Sequence, residues 1–158
     1  MLAIRKATPD DVPAILRLVK ALADYEKEPD AVVASEDDFL RDGFGERALF
    51  RTHIATWNRE PIGFALYYFT WSTWRGKRCL HLEDLFVEEQ HRKKGAGIGL
   101  MKAVAKEAVD AGCARFVWQV MDWNQPAIDF YEKLGSKVKK EWIAVHLEGD
   151  PLTTLANG

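Results

Sequence analysis

The chain has 158 residues, 47% hydrophobic and 29% charged, which fits one globular domain able to bury roughly 70% of its unfolded surface without a disulfide or metal staple. Twenty-two Lys and Arg against 24 Asp and Glu leave a formal charge of −2, so no global field draws nucleic acid or anionic lipid, and any anion site is local. Cys79 and Cys113 lie in apolar runs outside any C-x-x-C spacing, and neither a signal-like N-terminus nor a membrane-length apolar stretch occurs, so a soluble protein of the reducing cytosol is expected.

Residues 2 to 7 (LAIRKA) alternate as a strand does. Thr8-Pro9-Asp10-Asp11 then offers an N-cap, a proline at the first helical position and an acid at the third. Ile15, Leu18, Val19 and Leu22 recur at helical spacing and predict one buried stripe. Ser35-Glu36-Asp37-Asp38 repeats the capping pattern before a shorter helix, closed by Gly43 and Gly45. Three β-prone runs follow at 49–57, 62–71 and 78–87, and the short links between them suit antiparallel strands. Leu100, Met101, Val104, Ala105 and Ala108 predict a helix between Gly97 and Gly112, and a strand at 114–120 comes next. Asn124 caps a helix carrying Ile128, Tyr131 and Leu134, stopped by Gly135, and a final strand is expected near 141–147. The layout is α+β (mixed α/β), a mixed, mostly antiparallel sheet flanked by helices in a single domain over 1–158; crossover helices after the strands at 78 and 114 imply local parallel pairing.

The densest chemistry lies between His81 and Met101. Val87 ends a strand, a basic glycine-rich loop follows, and a helix begins, so backbone N–H groups and a helix dipole face whatever anion binds there. Gly95 and Gly97 permit close backbone approach, while Arg92, Lys93 and Lys94 add charge, which suits a phosphate. The stretch is neither G-x-x-x-x-G-K-[ST] nor G-x-G-x-x-G: Leu100 and Lys102 stand where a third glycine would be needed.

Arg92-Lys93-Lys94-Gly95-Ala96-Gly97 fits R-x-x-G-x-G, preceded by L-E-D-L-F-V at 82–87, and Asn124 to Gly135 follows N-x-x-A-x-x-F-Y-x-x-x-G-F, with Ser136 where the final aromatic is usual. In these motifs the chain resembles the GNAT superfamily of N-acetyltransferases, which bind acetyl-coenzyme A. Ala3-Ile4-Arg5, Ala23-Asp24-Tyr25-Glu26, Asp42 to Glu46 and Gly63 to Thr70 extend the match to nearly the whole chain, best with the diamine (spermidine/spermine or thialysine) acetyltransferase branch. The resemblance implies the GNAT acyl-CoA N-acyltransferase fold and acetyl transfer from acetyl-CoA to a primary amine, without a metal. It also implies a homodimer and a cytoplasmic setting.

It further implies roles residue by residue. Glu83 is the general base, acting directly or through water, and Tyr131 protonates the departing thiolate. Leu85, Phe86 and Val87 align the pantetheine arm as an added strand would, and Arg92, Lys93, Lys94, Gly95, Ala96, Gly97 and Ile98 cradle the pyrophosphate. Asn124, Pro126 and Ala127 reach the same cofactor. Tyr25, Glu26, Glu83, Asp84, Trp74 and Glu141 are expected on the substrate side; strand alternation alone would send Glu83 and Asp84 to opposite faces. Where polyamine acetyltransferases carry an aspartate after Y-Y-F-T, this chain has Ser72, which leaves thialysine, a shorter diamine or another small amine open. A non-catalytic acyl-CoA-binding regulatory module of the same fold is the alternative. The four histidines fit no metal motif, and Cys113 reads as packing rather than as a nucleophile.

Overall fold

The structure, a computed structural model, describes residues 1–158. Met1–Gln119 form one compact unit and Val120–Gly158 a second. No helix is long and apolar enough to cross a membrane.

The first unit is built on strands β1 (Leu2–Lys6), β2 (Arg51–Trp57), β3 (Glu60–Ser72), β4 (Lys77–Val87) and β5 (Phe116–Trp118), in that spatial order. The first four pair antiparallel; β5 pairs parallel with β4 because helix α3 (Ala96–Asp110) carries the chain back between them. The mostly antiparallel sheet expected from the sequence is thus present. Helix α1 (Val12–Tyr25) starts after a short 3-10 turn at Pro9–Asp11. Arg5 clasps Asp11 through both terminal nitrogens at 2.7 and 2.9 Å, and the same carboxylate accepts from the Thr8 N–H at 2.7 Å. These charge-assisted bonds hold the Asp11 pKa below its usual value and fix where α1 departs from β1.

Val12, Ile15, Leu16, Leu18 and Leu22 of α1 pack with Phe39 of α2 (Glu36–Phe44) against Ile54, Phe64, Leu66 and Phe86 of the sheet. Burying each of these side chains contributes roughly 1.5–3 kcal/mol. On the opposite face α3 buries Leu100, Met101 and Val104, and a β-carbon at Gly99 would lie 3.0 Å from Ile4 of β1. Gly99 is therefore a packing residue.

Three expectations are corrected. Gly43 lies inside α2, where an added β-carbon would sit 2.5 Å from the Phe50 ring; Gly45 is the C-cap, in extended rather than left-handed conformation. The strand expected at 114–120 shrinks to Phe116–Trp118. In the second unit, α4 (Gln125–Lys133) forms as expected, with the Asn124 side chain accepting from the Ala127 N–H, but residues 141–147 form no strand. Their β-branched and aromatic side chains, including Ile143 and Val145, are exposed, and β propensity yields a strand only where a neighbour supplies hydrogen bonds. A helix not foreseen, α5 (Gly149–Asn157), follows.

Candidate active site

The active-site candidates of the first unit converge on β4 because its alternation is interrupted. Leu66 of β3 pairs with Asp84, but Tyr67 pairs with Leu82, so Glu83 is an extra residue bulged out of the ladder. Directly opposed residues share a face, which puts Asp84 with Leu66 and His81 with Tyr68 on the side that packs against α1. The bulge brings Glu83 to that side as well: the Tyr68 hydroxyl donates to Glu83 Oε2 at 3.0 Å, and His81 Nε2 lies 3.5 Å from the same oxygen. The opposite-faces expectation is therefore overturned, since alternation holds only while one residue faces one.

This convergence is electrostatically costly. Burial raises the Asp84 pKa, and the Glu83 and Glu26 carboxylates add to it, bringing it to about 7. Glu26, at the C-terminal cap of α1, is also raised by burial. The Tyr68 pKa rises first from burial and then from its bond to Glu83, so it stays a donor at neutral pH. Three carboxylates from two elements thus form a partly desolvated acidic patch, and a cation entering it would relieve their mutual repulsion.

The second feature is a ladder that stops early. Strand β5 pairs with β4 only over Leu80↔Phe116, His81↔Val117 and Leu82↔Trp118, whereas β4 runs on to Val87. From Asp84 to Val87, including Leu85 and Phe86, β4 is paired by β3 alone, and Glu83 is in neither ladder, leaving the β5-side edge from Glu83 to Val87 open to an extended ligand.

Beyond Val87 the loop is wound for anions. Lys93 and Gly95 have positive φ of 62 and 89°, Gly95 is the N-cap of α3, and no side chain caps that end. Gly99 N–H makes a helical bond to Gly95 O at 2.9 Å, so the N–H groups of Ala96, Gly97 and Ile98 sit in the first turn, where a helix has no backbone acceptors of its own. Arg92 has a structural contact within the loop. Its Nε donates to Val87 O at 3.0 Å and its guanidinium lies 4.8 Å from the centre of the Tyr25 ring and 5.8 Å from that of Phe86. It braces the loop against β4 and the end of α1, which also makes Tyr25 a partner of the loop. Lys94 Nζ lies 5.0 Å from the centre of the Trp57 ring.

Other candidates lie elsewhere. Trp74 is 92% exposed at the tip of the β3–β4 hairpin, and β4 rises six residues from Lys77 to Glu83, about 20 Å at the usual strand rise. Ser72 is buried and its Oγ accepts from the Arg75 N–H at 3.2 Å, so it serves the hairpin turn. Cys113 has its thiol pKa raised by burial, which fits packing. In the second unit, Asn124 is the buried cap of α4, Pro126 and Ala127 form its first turn, Tyr131 lies partly buried further along it, and Glu141 pairs with Lys139 at 3.8 Å. Sequence reasoning missed Tyr68 and set His81 aside with the other histidines; the signals available were His81's place directly before L-E-D and Tyr68's in the aromatic run of the preceding strand.

Comparison with known proteins agrees with this architecture. The family model described as Acetyltransferase (GNAT) family matches residues 15–136. The chain is 39% identical to a thialysine N-epsilon-acetyltransferase of Sus scrofa, covering 97% of this chain and 96% of the relative. It is also 39% identical to the spermidine/spermine N(1)-acetyltransferase-like protein 1 of Homo sapiens, over 84% of this chain and 20% of that protein. An integron cassette protein from the mobile metagenome of V. cholerae superimposes with a TM-score of 0.83 at 27% identity, covering 99% of this chain and 98% of the other.

Proposed function

The chain belongs to the acetyltransferase (GNAT) family and is an N-acetyltransferase; from that premise we propose that it transfers acetyl from acetyl-CoA to a primary amine of a small diamine, polyamine or thialysine-like molecule, by direct attack in a ternary complex. The observation that carries this reading is the end of the β5 ladder at Leu82, one residue before the bulged Glu83. An extended thioester arm added along Leu85–Val87 would bring its carbonyl beside the carboxylates.

Each part of the reaction has a residue suited to it. A lysine-like amine with a pKa near 10.4 is protonated at pH 7, and neutralising it costs about 4.6 kcal/mol at ~1.36 kcal/mol per unit. Glu83 takes that proton, and the freed lone pair attacks the thioester carbon. A β4 N–H stabilises the oxyanion, the C–S bond breaks as Tyr131 gives its proton to the thiolate, and the second proton shed by the acylated nitrogen restores the Tyr131 phenol. The N–H groups of Ala96, Gly97 and Ile98, with Arg92, Lys93 and Lys94, hold the pyrophosphate, and the Arg92 Nε bond to Val87 O also keeps the loop in shape. Asn124, Pro126 and Ala127 contribute to cofactor binding from the start of α4.

Glu26 and Asp84 receive the cationic end of the substrate. With Ser72 committed to its own turn and Trp74 at the hairpin tip, no further carboxylate reaches out from that segment, which favours a short diamine or thialysine-like amine over a long polycation. A thiol-release assay with acetyl-CoA against spermidine, spermine, short diamines, thialysine and lysine tests this. Coenzyme A thiol should appear only when an amine is present, fastest with the short amines. Tight coenzyme A binding with no thiol from any amine would instead identify a regulatory module.

A further inference from the structure

A base that takes a proton in every cycle must also lose one, and the surroundings of Glu83 contain a route for it. We propose that His81 is a positioning residue that acts through Glu83, accepting the amine-derived proton from its carboxyl group and passing it to solvent. This rests on the reading of Glu83 as the base.

Glu83 Oε2 has two side-chain neighbours, the Tyr68 hydroxyl at 3.0 Å and His81 Nε2 at 3.5 Å. Tyr68 donates and keeps its own proton, because burial and the bond to Glu83 both raise its pKa. It therefore holds the carboxylate without draining it. Imidazole is the side chain suited to exchanging protons near neutral pH. The His81 ring is fixed against Tyr68, its direct cross-strand partner, with centroids 5.0 Å apart, and its side chain is 22% exposed against 52% for Glu83; Glu83 meets water directly in the free protein, and the relay is the outlet once amine and thioester cover that carboxylate. On the other side His81 opposes Val117 of β5, which carries no charge.

The ionisable groups bearing on this pair are Tyr68 on β3, Asp84 beside Glu83 on β4, and Glu26 at the end of α1, which acts on Asp84. Asp84 is the competing proton acceptor, but burial and two neighbouring carboxylates already oppose its discharge to solvent. The step balances without an oxidant: the substrate N–H proton moves to Glu83 Oε2, then to His81 Nε2, then to water, and Glu83 is again a carboxylate. The 3.5 Å separation exceeds an ordinary hydrogen bond, so transfer follows a small side-chain approach or one bridging water.

The experiment compares parent, His81→Gln, His81→Ala and Glu83→Gln by amine-dependent thiol release between pH 6 and 9, with thermal melts to establish folding. We expect His81→Gln to lower kcat about tenfold with amine KM within about twofold, and to change the shape of the kcat–pH profile. Added imidazole should restore part of kcat in His81→Ala, increasingly with its free-base concentration, and His81→Gln should have no further effect in a Glu83→Gln background. A pH profile parallel to the parent's with no imidazole rescue overturns the relay while leaving the acetyltransferase reading intact. Unaltered kcat in Glu83→Gln, or a parent silent with every amine, overturns the base assignment and the relay with it. If His81→Ala fails to fold, His81→Gln and its pH profile decide the matter.

Discussion

Replacing Asp84 by asparagine keeps the side-chain volume and removes a charge that the fold tolerates poorly. Burial first, then Glu83 and Glu26, raise this carboxyl from an ordinary 3.8 to about 7. A group whose folded pKa lies above its unfolded value costs nothing where both states are protonated. It destabilises the fold increasingly from the unfolded pKa upward, and the cost levels off above the folded pKa. A shift of roughly three units at ~1.36 kcal/mol each amounts to about 4 kcal/mol as an upper value. Urea unfolding of parent and Asp84→Asn at pH 4, 6 and 8 measures it. The two proteins should be nearly matched at pH 4, and by pH 8 the variant should be more stable by up to about 4 kcal/mol, or ~2 M in the urea midpoint for an m-value of about 2 kcal/mol/M. The same variant should bind the cationic amine less well, raising its KM. A stability difference of the same size at pH 4 and pH 8 would show that Asp84 is not held protonated by its surroundings, and the acidic patch would lose its basis.

Tyr131→Phe should lower kcat by about a hundredfold while acetyl-CoA affinity stays within about twofold; parent-like turnover would remove Tyr131 from the proton-donor role. Gly63→Ala would put a β-carbon 2.7 Å from Phe86 O across the β3–β4 ladder, a contact neither backbone relieves without shifting. A loss on the order of 2 kcal/mol, lowering Tm by about 4–8 °C, is expected by calorimetry, and a variant melting with the parent would contradict that approach of the two strands.

The parts of this fold that follow local rules were legible. Helix α1 has its proline, acids and apolar stripe in order; β2, β3 and β4 are separated by turn residues; and L-E-D-L-F-V before R-x-x-G-x-G locates the strand, edge and loop. The parts governed by pairing were not. Alternation assigned Glu83 and Asp84 to opposite faces because a bulge is a relation between two strands, visible only once Leu66 and Tyr67 have partners. For Arg92, sequence gives the charge but not the Val87 carbonyl that holds its Nε. His81 was set aside with the other histidines because a histidine matters here only through the oxygen beside it. Residues 141–147 have the composition of a strand, but composition supplies no neighbour.

The open edge of β4 from Glu83 to Val87 also bears on the lifetime of the protein. If acetyl-CoA adds along this edge as proposed, the sheet is completed by a small molecule rather than by its own chain and depends for part of its stability on a metabolite. Acetyl-CoA present at a hundred times its Kd adds about 2.7 kcal/mol to the folded state, roughly a hundredfold smaller unfolded population. When acetyl-CoA is scarce that protection fades, and a protease that cleaves the unfolded chain removes the protein faster. The concentration of one co-substrate would then set both how fast the enzyme turns over and how long each copy survives.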